Sequence, residues 1–199
     1  MYIGDYLGRR EVYTPEKLAI IDAGKEPELR LTYRAMNERA NRLANWLKDT
    51  AGVGKGDRVA ILARDGVEHL DCFFACGKLG AIHTAFNWRL HWREHLGIIR
   101  NTQPKVLIYS GDFLDAVARI EAALGETSYP IAHYTHIEGE GLAASQHFGT
   151  AIEGSPGTAV TCESLDKEDI ACLLFTGGTT GLPKGAMISH RMICWNVLN

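Results

Sequence analysis

The sequence predicts an α/β fold, in which βαβ layers build a mostly parallel sheet flanked by helices. A compact apolar run at residues 59–63 is bounded by polar residues, as is typical of a strand buried on both faces. Residues 81–86 and 106–109 predict two further strands. Between these runs, apolar residues recur at helical spacing. Strands and helices therefore alternate along the chain, which is the pattern of a parallel sheet covered on both sides.

The first part of the chain predicts two short strands and a helix. Residues 18–21 form an apolar run, and Leu29 and Leu31 alternate with polar neighbours as a second strand would. Thr32 is a favourable N-cap, and the apolar positions after it keep helical spacing through Lys48.

The middle of the chain predicts three more helices. The first covers residues 67–79, ends at Gly80, and is expected to turn four side chains inward: Leu70, Phe73, Phe74 and Cys76. The other two cover residues 93–100 and 113–124.

Residues 139–168 are rich in Gly, Ser and Thr and lack periodicity. They predict an irregular connection with one weak helix near residues 141–148. After it we expect a strand over residues 170–176, a loop, a second strand over 185–189, and a helix that begins near Ser189.

Composition limits the classes of function. The formal net charge is −3, with no Lys/Arg-rich run, so the chain is no electrostatic match for nucleic acid. No stretch approaches the length of about 18 apolar residues that a membrane span requires. Peripheral contact with a membrane and the oligomeric state stay open.

The N-terminus and the cysteines favour a cytoplasmic protein. Residues 1–5 show no basic region followed by an apolar stretch, so we predict no signal peptide. The five cysteines form no CxxC pair, and we expect them to be free thiols in a reducing compartment.

Residues 173–190, which read LLFTGGTTGLPKGAMISH, are the most informative segment. An apolar run leads into six small or hydroxylated residues at 176–181, followed by Pro183 and Lys184. Such a loop can direct backbone N–H groups and hydroxyls at one small volume, beside one cation, which suits a polyphosphate. It is not a Walker A loop, because Lys184 is followed by Gly185 and an apolar segment rather than by Ser/Thr and a helix.

The loop closely resembles the signature loop of the adenylate-forming superfamily, which includes acyl-CoA synthetases, luciferases and the adenylation domains of peptide synthetases. The usual pattern is T-S-G-T-T-G-x-P-K-G, and this chain has Gly177 in place of the serine. Segments 31–33, 54–61, 73–81 and 87–90 resemble further motifs of that family, in the expected order.

The resemblance implies a two-step reaction. A carboxylate attacks the α-phosphate of Mg·ATP to give an acyl-adenylate and pyrophosphate, and the thiol of coenzyme A then displaces AMP. It also implies that the β- and γ-phosphates are held by seven loop residues: Thr176, Gly177, Gly178, Thr179, Thr180, Gly181 and Lys184. A hydroxyl of Thr179 or Thr180 would reach Mg²⁺, and no catalytic residue is assigned in this chain.

On the same ground, residues 1–199 are expected to be the N-terminal portion of an adenylation domain, as a fragment that is inactive alone. The leading prediction is an AMP-forming acid–CoA ligase acting on a fatty acid, with aromatic acids left open. Two alternatives remain: an adenylation domain that loads a carrier protein, and a non-catalytic nucleotide-binding remnant.

Several histidines carry open interpretations. His190 follows the loop and either approaches the adenylate or lies in the first turn of a helix that Ser189 caps. His91 and His95 have the i,i+4 spacing of a metal pair, but no acidic or thiol ligand accompanies them. His83 is expected to be a core histidine.

Overall fold

The seven-stranded sheet at the centre of the chain is parallel except at one edge. The computed structural model describes residues 4–125, 131–176 and 183–198. In spatial order the strands are β7, β6, β5, β3, β4, β8 and β9, and only β8 and β9 are antiparallel. The strands are β3 (Arg58–Leu62), β4 (Ile82–Ala85), β5 (Val106–Tyr109), β6 (His133–His136), β7 (Gln146–His147), β8 (Ile170–Thr176) and β9 (Lys184–Ser189).

A separate hairpin and the helices complete the fold. The antiparallel hairpin consists of β1 (Leu18–Asp22) and β2 (Leu29–Thr32). The helices are α1 (Gly4–Tyr13), α2 (Tyr33–Asp49), α3 (Val67–Leu79), α4 (Trp92–Thr102), α5 (Leu114–Gly125), α6 (Phe148–Glu153) and α7 (His190–Leu198), and a 3₁₀ turn at Gly111–Phe113 leads into α5. The predicted α/β class, with a mostly parallel sheet between helices, is confirmed.

Helices cover both faces of the sheet. Successive residues of a strand point to opposite faces, so each strand contributes side chains to both helical layers. Val59 and Ile61 of β3 pack with residues of α2, α3 and α6, whereas Ala60 and Leu62 pack with residues of α4 and α5. All four side chains are fully buried. The middle of the sheet is therefore sealed on both sides, and the ends of its strands are open to a ligand.

Local signals set the helix ends where the sequence predicts them. The Thr32 hydroxyl accepts a hydrogen bond from the Ala35 N–H at 3.2 Å and caps α2. Gly80 adopts a φ of 70° at the end of α3, a left-handed conformation that favours glycine.

The buried side of α3 differs from the expectation. Leu70, Phe73 and Phe74 are only half-buried, while Glu68 and Asp71 are buried. The helix contacts α1 and α2 as well as the sheet, so more of its circumference is enclosed than one apolar stripe predicts. Its acidic groups are buried in ion pairs, Asp71 with Arg39 and Glu68 with Lys25.

The connection over residues 139–168 is mostly irregular, as predicted, but its helix lies at Phe148–Glu153 and not at 141–148. The Leu142 N–H donates to the Tyr109 hydroxyl at 2.7 Å, and the Ser145 N–H donates to the Leu142 carbonyl. These bonds make a turn that packs on the sheet, so no helical ladder starts there.

Side chains of α2 hold the rest of the connection. The Asn45 side-chain amide lies 2.8 Å from the Pro156 carbonyl and 2.9 Å from the Thr158 carbonyl, and the Asn41 amide donates to the Gly157 carbonyl at 3.1 Å. A segment without secondary structure thus has its backbone acceptors satisfied by one helix.

Two further predictions concern thiols and membranes. All five cysteines are free thiols. Among the described residues, no helix is long and apolar enough to cross a membrane.

Candidate functional site

The site lies at the carboxyl ends of the parallel strands. β4 and β8 are neighbours, with Ala85 beside Leu174, so the segments that follow Ala85 and Thr176 leave the sheet at the same edge. In open α/β sheets, ligands bind beyond the carboxyl ends of the strands.

The hairpin of β8 and β9 brings two of the predicted phosphate ligands together. Thr176 and Lys184 are directly opposite in the antiparallel register, so their side chains lie on the same face of the sheet. Both side chains are exposed. A hydroxyl and an ammonium group therefore stand side by side where the loop leaves the sheet and returns to it.

The other predicted loop ligands, Gly177, Gly178, Thr179, Thr180 and Gly181, lie outside the described residues. The role of these five in phosphate binding, and of Thr179 or Thr180 in Mg²⁺ binding, stays a prediction.

The opposite face of the hairpin carries Phe175, which is half-buried. Phe175 contacts the buried cluster on the α4 and α5 side, and its register partner is Gly185. A Cβ at Gly185 would lie 3.0 Å from two atoms of the Phe175 ring. Glycine at this position therefore leaves room for the Phe175 ring beside β9.

A groove separates α4 from the end of the loop. It has a volume of about 710 Å³. Its walls include Trp92, Arg93, Leu96, Arg100 and, from the loop side, Pro183. The two arginines make this groove cationic beside the loop that is predicted to bind phosphates.

A second cationic feature stands after β3 and β4. The guanidinium of Arg64 lies 4.8 Å from the centroid of the Trp88 ring, and that of Arg89 lies 4.3 Å from it. Arg64 also pairs with Asp112 at 3.2 Å. Two guanidiniums on one indole create a surface that suits a phosphate next to an aromatic base.

Sequence reasoning missed this cluster of Arg64, Trp88 and Arg89, although a signal was present. An arginine follows each of two apolar runs, and neighbouring parallel strands bring such residues to one edge. What the sequence could not supply is the strand order that makes β3 and β4 neighbours.

The N-terminus of α3, a natural anion site, is already occupied by a side chain of the chain itself. The Val67 N–H donates to Asp22 Oδ2 at 3.0 Å. The adjoining cavity, of about 230 Å³, has more acidic than basic residues in its walls. Lys25 neutralises part of that charge through ion pairs with Glu68 and Glu138. This cavity therefore suits an anionic ligand poorly, and the hairpin remains the better place for a polyphosphate.

His190 is not brought to the loop. Ser189 lies opposite Ile170 at the far end of the hairpin, and the six residues of β9 span about 17 Å at 3.4 Å per residue. The His190 side chain is fully buried, and its backbone N–H donates to the Asp169 carbonyl at 3.1 Å. Ser189 Oγ accepts from the Met192 N–H at 3.3 Å and so caps α7, which begins at His190. An approach of His190 to the adenylate stays a prediction.

The far end of the hairpin is anchored by charge. Lys55 lies 2.6 Å from Asp169 Oδ2 and donates to the Ser164 carbonyl. The hydrogen bond from Lys55 holds the pKa of Asp169 below its usual range. Arg191 pairs with Glu168 at 2.6 Å. These contacts fix the start of α7 and leave the loop end as the open end.

His91, His95 and His83 have structural roles. The Nδ1 of His91 accepts from the Arg93 N–H and caps α4. His95 is buried with Nε2 3.0 Å from the Asn87 carbonyl, and burial lowers its pKa. His83 is a core histidine, as expected. In the part of the chain that the structure describes, no group of three or more His, Cys, Asp and Glu side chains could hold a metal ion.

Comparison with known proteins decides the family. A family described as AMP-binding enzyme matches residues 9–199. The chain belongs to this AMP-binding enzyme family. The match includes the hairpin and its loop, together with the sheet that carries them.

Relatives and solved structures agree with the family. The chain is 35% identical over 179 residues to the crotonobetaine/carnitine–CoA ligase of Salmonella typhi, covering 88% of this chain and 34% of that protein. It is 30% identical over 197 residues to the feruloyl-CoA synthase of an Amycolatopsis species, covering 99% and 35%. The structure of the anthranilate CoA ligase AuaEII with anthranoyl-AMP superposes with a TM-score of 0.86 at 30% identity, covering 96% and 35%.

The chain thus spans about a third of the length of the curated relatives it matches.

Proposed function

We propose that this chain supplies the phosphate-gripping part of an AMP-forming acid–CoA ligase, which converts a carboxylic acid and ATP into an acyl-adenylate and then into a thioester of coenzyme A. The observation that carries the proposal is the pairing of Thr176 with Lys184 at the carboxyl edge of the sheet, in a member of the AMP-binding enzyme family.

The chemistry follows from charge. A carboxylate oxygen is a poor leaving group, and attack on the α-phosphate of ATP attaches AMP, which leaves readily when a thiol attacks. Pyrophosphate departs in the first step, and negative charge grows on it. Lys184 and the Thr176 hydroxyl stabilise that charge, and the loop needs no protein nucleophile because positioning and electrostatics suffice.

Mg²⁺ is expected with ATP, but the described residues fit it poorly. Near the hairpin they provide a hydroxyl and an ammonium group rather than a set of carboxylates, and no three-ligand cluster is present among them. Ligation of the ion by Thr179 or Thr180 is therefore part of the proposal.

The second substrate is argued from the cationic cluster of Arg64, Trp88 and Arg89. Coenzyme A carries several phosphates and an adenine, and paired guanidiniums around an indole recognise such groups. All the relatives described above carry coenzyme A in their names. This supports coenzyme A over a carrier protein as the acceptor.

The acid is the finer part of the proposal. We infer a fatty acid from the segment Asn87-Trp88-Arg89-Leu90 and its likeness to acyl-CoA synthetases. The relatives' own names include a betaine, a hydroxycinnamate and an aromatic amino acid. A panel of acids therefore belongs in the test.

We also propose that residues 1–199 are the N-terminal portion of the adenylation domain and that they form no thioester alone. They supply the grip on the leaving phosphates, and the relatives extend over about three times this length.

Binding of ATP to the chain itself tests the first claim. Calorimetric titration should show ATP and pyrophosphate binding, and Lys184→Gln should weaken both by roughly tenfold or more, the size expected for one charged hydrogen bond. Lys48→Gln removes another exposed lysine, in α2, and should change neither affinity. Equal binding by the chain and by Lys184→Gln would overturn the assignment of Lys184.

Activity separates the three readings of the function. Acid-dependent exchange of pyrophosphate into ATP, followed by thioester formation with free coenzyme A, supports the ligase. Exchange with transfer only to a carrier protein favours the carrier-loading alternative. Nucleotide binding without exchange, in the protein that contains the complete domain, identifies a non-catalytic remnant.

A further inference from the structure

Two histidines face each other at the outer edge of the large sheet. His136 of β6 and His147 of β7 are register partners on neighbouring parallel strands. Their ring centroids lie 5.3 Å apart and the rings are nearly perpendicular, at 75°. His147 is exposed and His136 is half-buried, so the space between them opens to solvent.

We propose that His136 and His147 form a two-imidazole site for a divalent transition-metal ion of the Cu²⁺, Ni²⁺ and Zn²⁺ group. Imidazole nitrogens bind these ions at about 2.0–2.1 Å. Two rings whose centroids are just over 5 Å apart can therefore direct one nitrogen each at a shared ion. Water would complete the coordination, because the described residues provide no third His, Cys, Asp or Glu at this place.

Ser145 prepares His136 for this role. The Nδ1 of His136 lies 2.9 Å from Ser145 Oγ. When Nδ1–H donates to the hydroxyl, the lone pair of Nε2 is left for a metal, as is usual for a ligating histidine whose second nitrogen is held by a partner. Ser145 is thus a positioning residue.

Backbone packing fixes the same ring. A Cβ at Gly141 would overlap the imidazole of His136, so only glycine lets the chain pass over this ring.

The site lies far from the phosphate-binding hairpin. The strand order places β7 five strands away from β8, which is about 24 Å at 4.8 Å per strand. Metal binding at the two histidines and nucleotide binding at the loop can therefore be measured separately, and the proposal does not depend on the ligase function.

A nearby tryptophan serves as a reporter. The Trp46 Nε1–H donates to Gln146 Oε1 at 3.0 Å, and Gln146 precedes His147 in β7. A paramagnetic ion such as Cu²⁺ at the two histidines should quench the fluorescence of this buried indole.

The experiment is a titration of the chain with CuCl₂, NiCl₂, ZnCl₂ and MgCl₂, followed by calorimetry and by tryptophan fluorescence. We expect one equivalent to bind, with Cu²⁺ tighter than Ni²⁺ and Zn²⁺ as the Irving–Williams order requires, and no binding of Mg²⁺. His136→Gln and His147→Gln should each abolish this equivalent.

Two controls define the site. His133→Gln changes a histidine of the same strand, whose ring lies 6.4 Å from the Trp46 ring, and should leave the calorimetric affinity unchanged. Trp46→Phe should remove the quenching but keep the heat of binding. Ser145→Ala should weaken binding by roughly 10–100-fold, as removal of a partner of a metal ligand does.

The proposal fails if both histidine variants bind Cu²⁺ as the unmodified chain does, or if His133→Gln is the variant that loses the equivalent. If circular dichroism shows that a histidine variant is unfolded, the Cu²⁺ affinity of Ser145→Ala tests the proposal instead. Weaker binding supports the site, and unchanged binding overturns it.

Discussion

Asp71 of α3 receives a two-pronged ion pair from Arg39 of α2. Nη2 of Arg39 lies 2.6 Å from Oδ2 of Asp71, and Nε lies 3.2 Å from Oδ1. The carboxylate is only 2% exposed. The pair joins two helices that pack on the same face of the sheet. Both the free-energy cost of burying the carboxylate and its attraction to Arg39 depend on the charge of Asp71.

Stability should fall as pH rises through the titration of Asp71. Burial raises the pKa of Asp71 from 3.8 to about 6, so the folded chain holds this proton more tightly than the unfolded chain. The resulting stabilisation is complete below pH 4 and is lost as pH rises through 6, by about 3 kcal/mol for a shift of roughly two units.

Urea unfolding of the chain between pH 4 and pH 8 measures this loss, with Asp71→Asn as the reference. The variant carries a neutral side chain of the same shape, so its free energy of unfolding should fall about 3 kcal/mol less over the range. Parallel curves for the two proteins would show that the charge of Asp71 costs nothing.

The asparagine side chains of α2 give a second prediction. Asn45→Ala should lower the free energy of unfolding by about 1–3 kcal/mol, because the carbonyls of Pro156 and Thr158 lose their donor. Protease cleavage within residues 154–161 should become faster. Asn101→Ala, at an exposed position of α4, is the matched control and should change neither quantity.

Local sequence rules predicted the elements that depend on local physics. The Thr32 cap, the Gly80 terminus and the buried β3 follow from capping, left-handed glycine and apolar runs, and each stands where expected. β6 was missed because its sequence, HYTH, lacks an apolar run and is fixed by pairing with β5.

The candidate site likewise has features that follow from the local sequence and features that depend on the tertiary fold. The pairing of Thr176 with Lys184 follows from the predicted strand–loop–strand order, and the length of β9 already separates His190 from the loop. The contact of Arg64 with Trp88 needs the neighbouring positions of β3 and β4, which no local pattern encodes. The burial of Asp71 likewise needs α2 to pack on α3.

Gly185 gives a third prediction, on the geometry of the hairpin. Gly185→Ala would press a Cβ to 3.0 Å from the Phe175 ring, so we expect a loss of about 1–3 kcal/mol from overpacking. ATP affinity should also fall, because a shift of β9 against β8 would move Lys184 relative to Thr176. Gly8→Ala in α1, where a Cβ meets nothing within 4 Å, should instead stabilise the chain by about 0.5–1 kcal/mol. Unchanged ATP affinity in Gly185→Ala would show that the position of Lys184 does not depend on the packing of Phe175.

The last prediction assigns two cations at the carboxyl ends of the strands to different half-reactions. Lys184 serves the formation of the adenylate, and Arg89 serves the step that uses coenzyme A. In a protein that performs the complete proposed reaction, Lys184→Gln should lower acid-dependent pyrophosphate exchange by about 10²–10³-fold, the size of losing one preorganised charge-stabilising donor. Arg89→Gln should leave exchange within about twofold but raise the KM for coenzyme A by roughly 10–100-fold, as one charged hydrogen bond predicts. Arg119→Gln, on the exposed side of α5, controls for the loss of one positive charge and should alter neither step. If Arg89→Gln slowed exchange as much as Lys184→Gln does, both cations would serve the ATP phosphates. The cluster around Trp88 would then belong to the first half-reaction rather than to the thiol substrate.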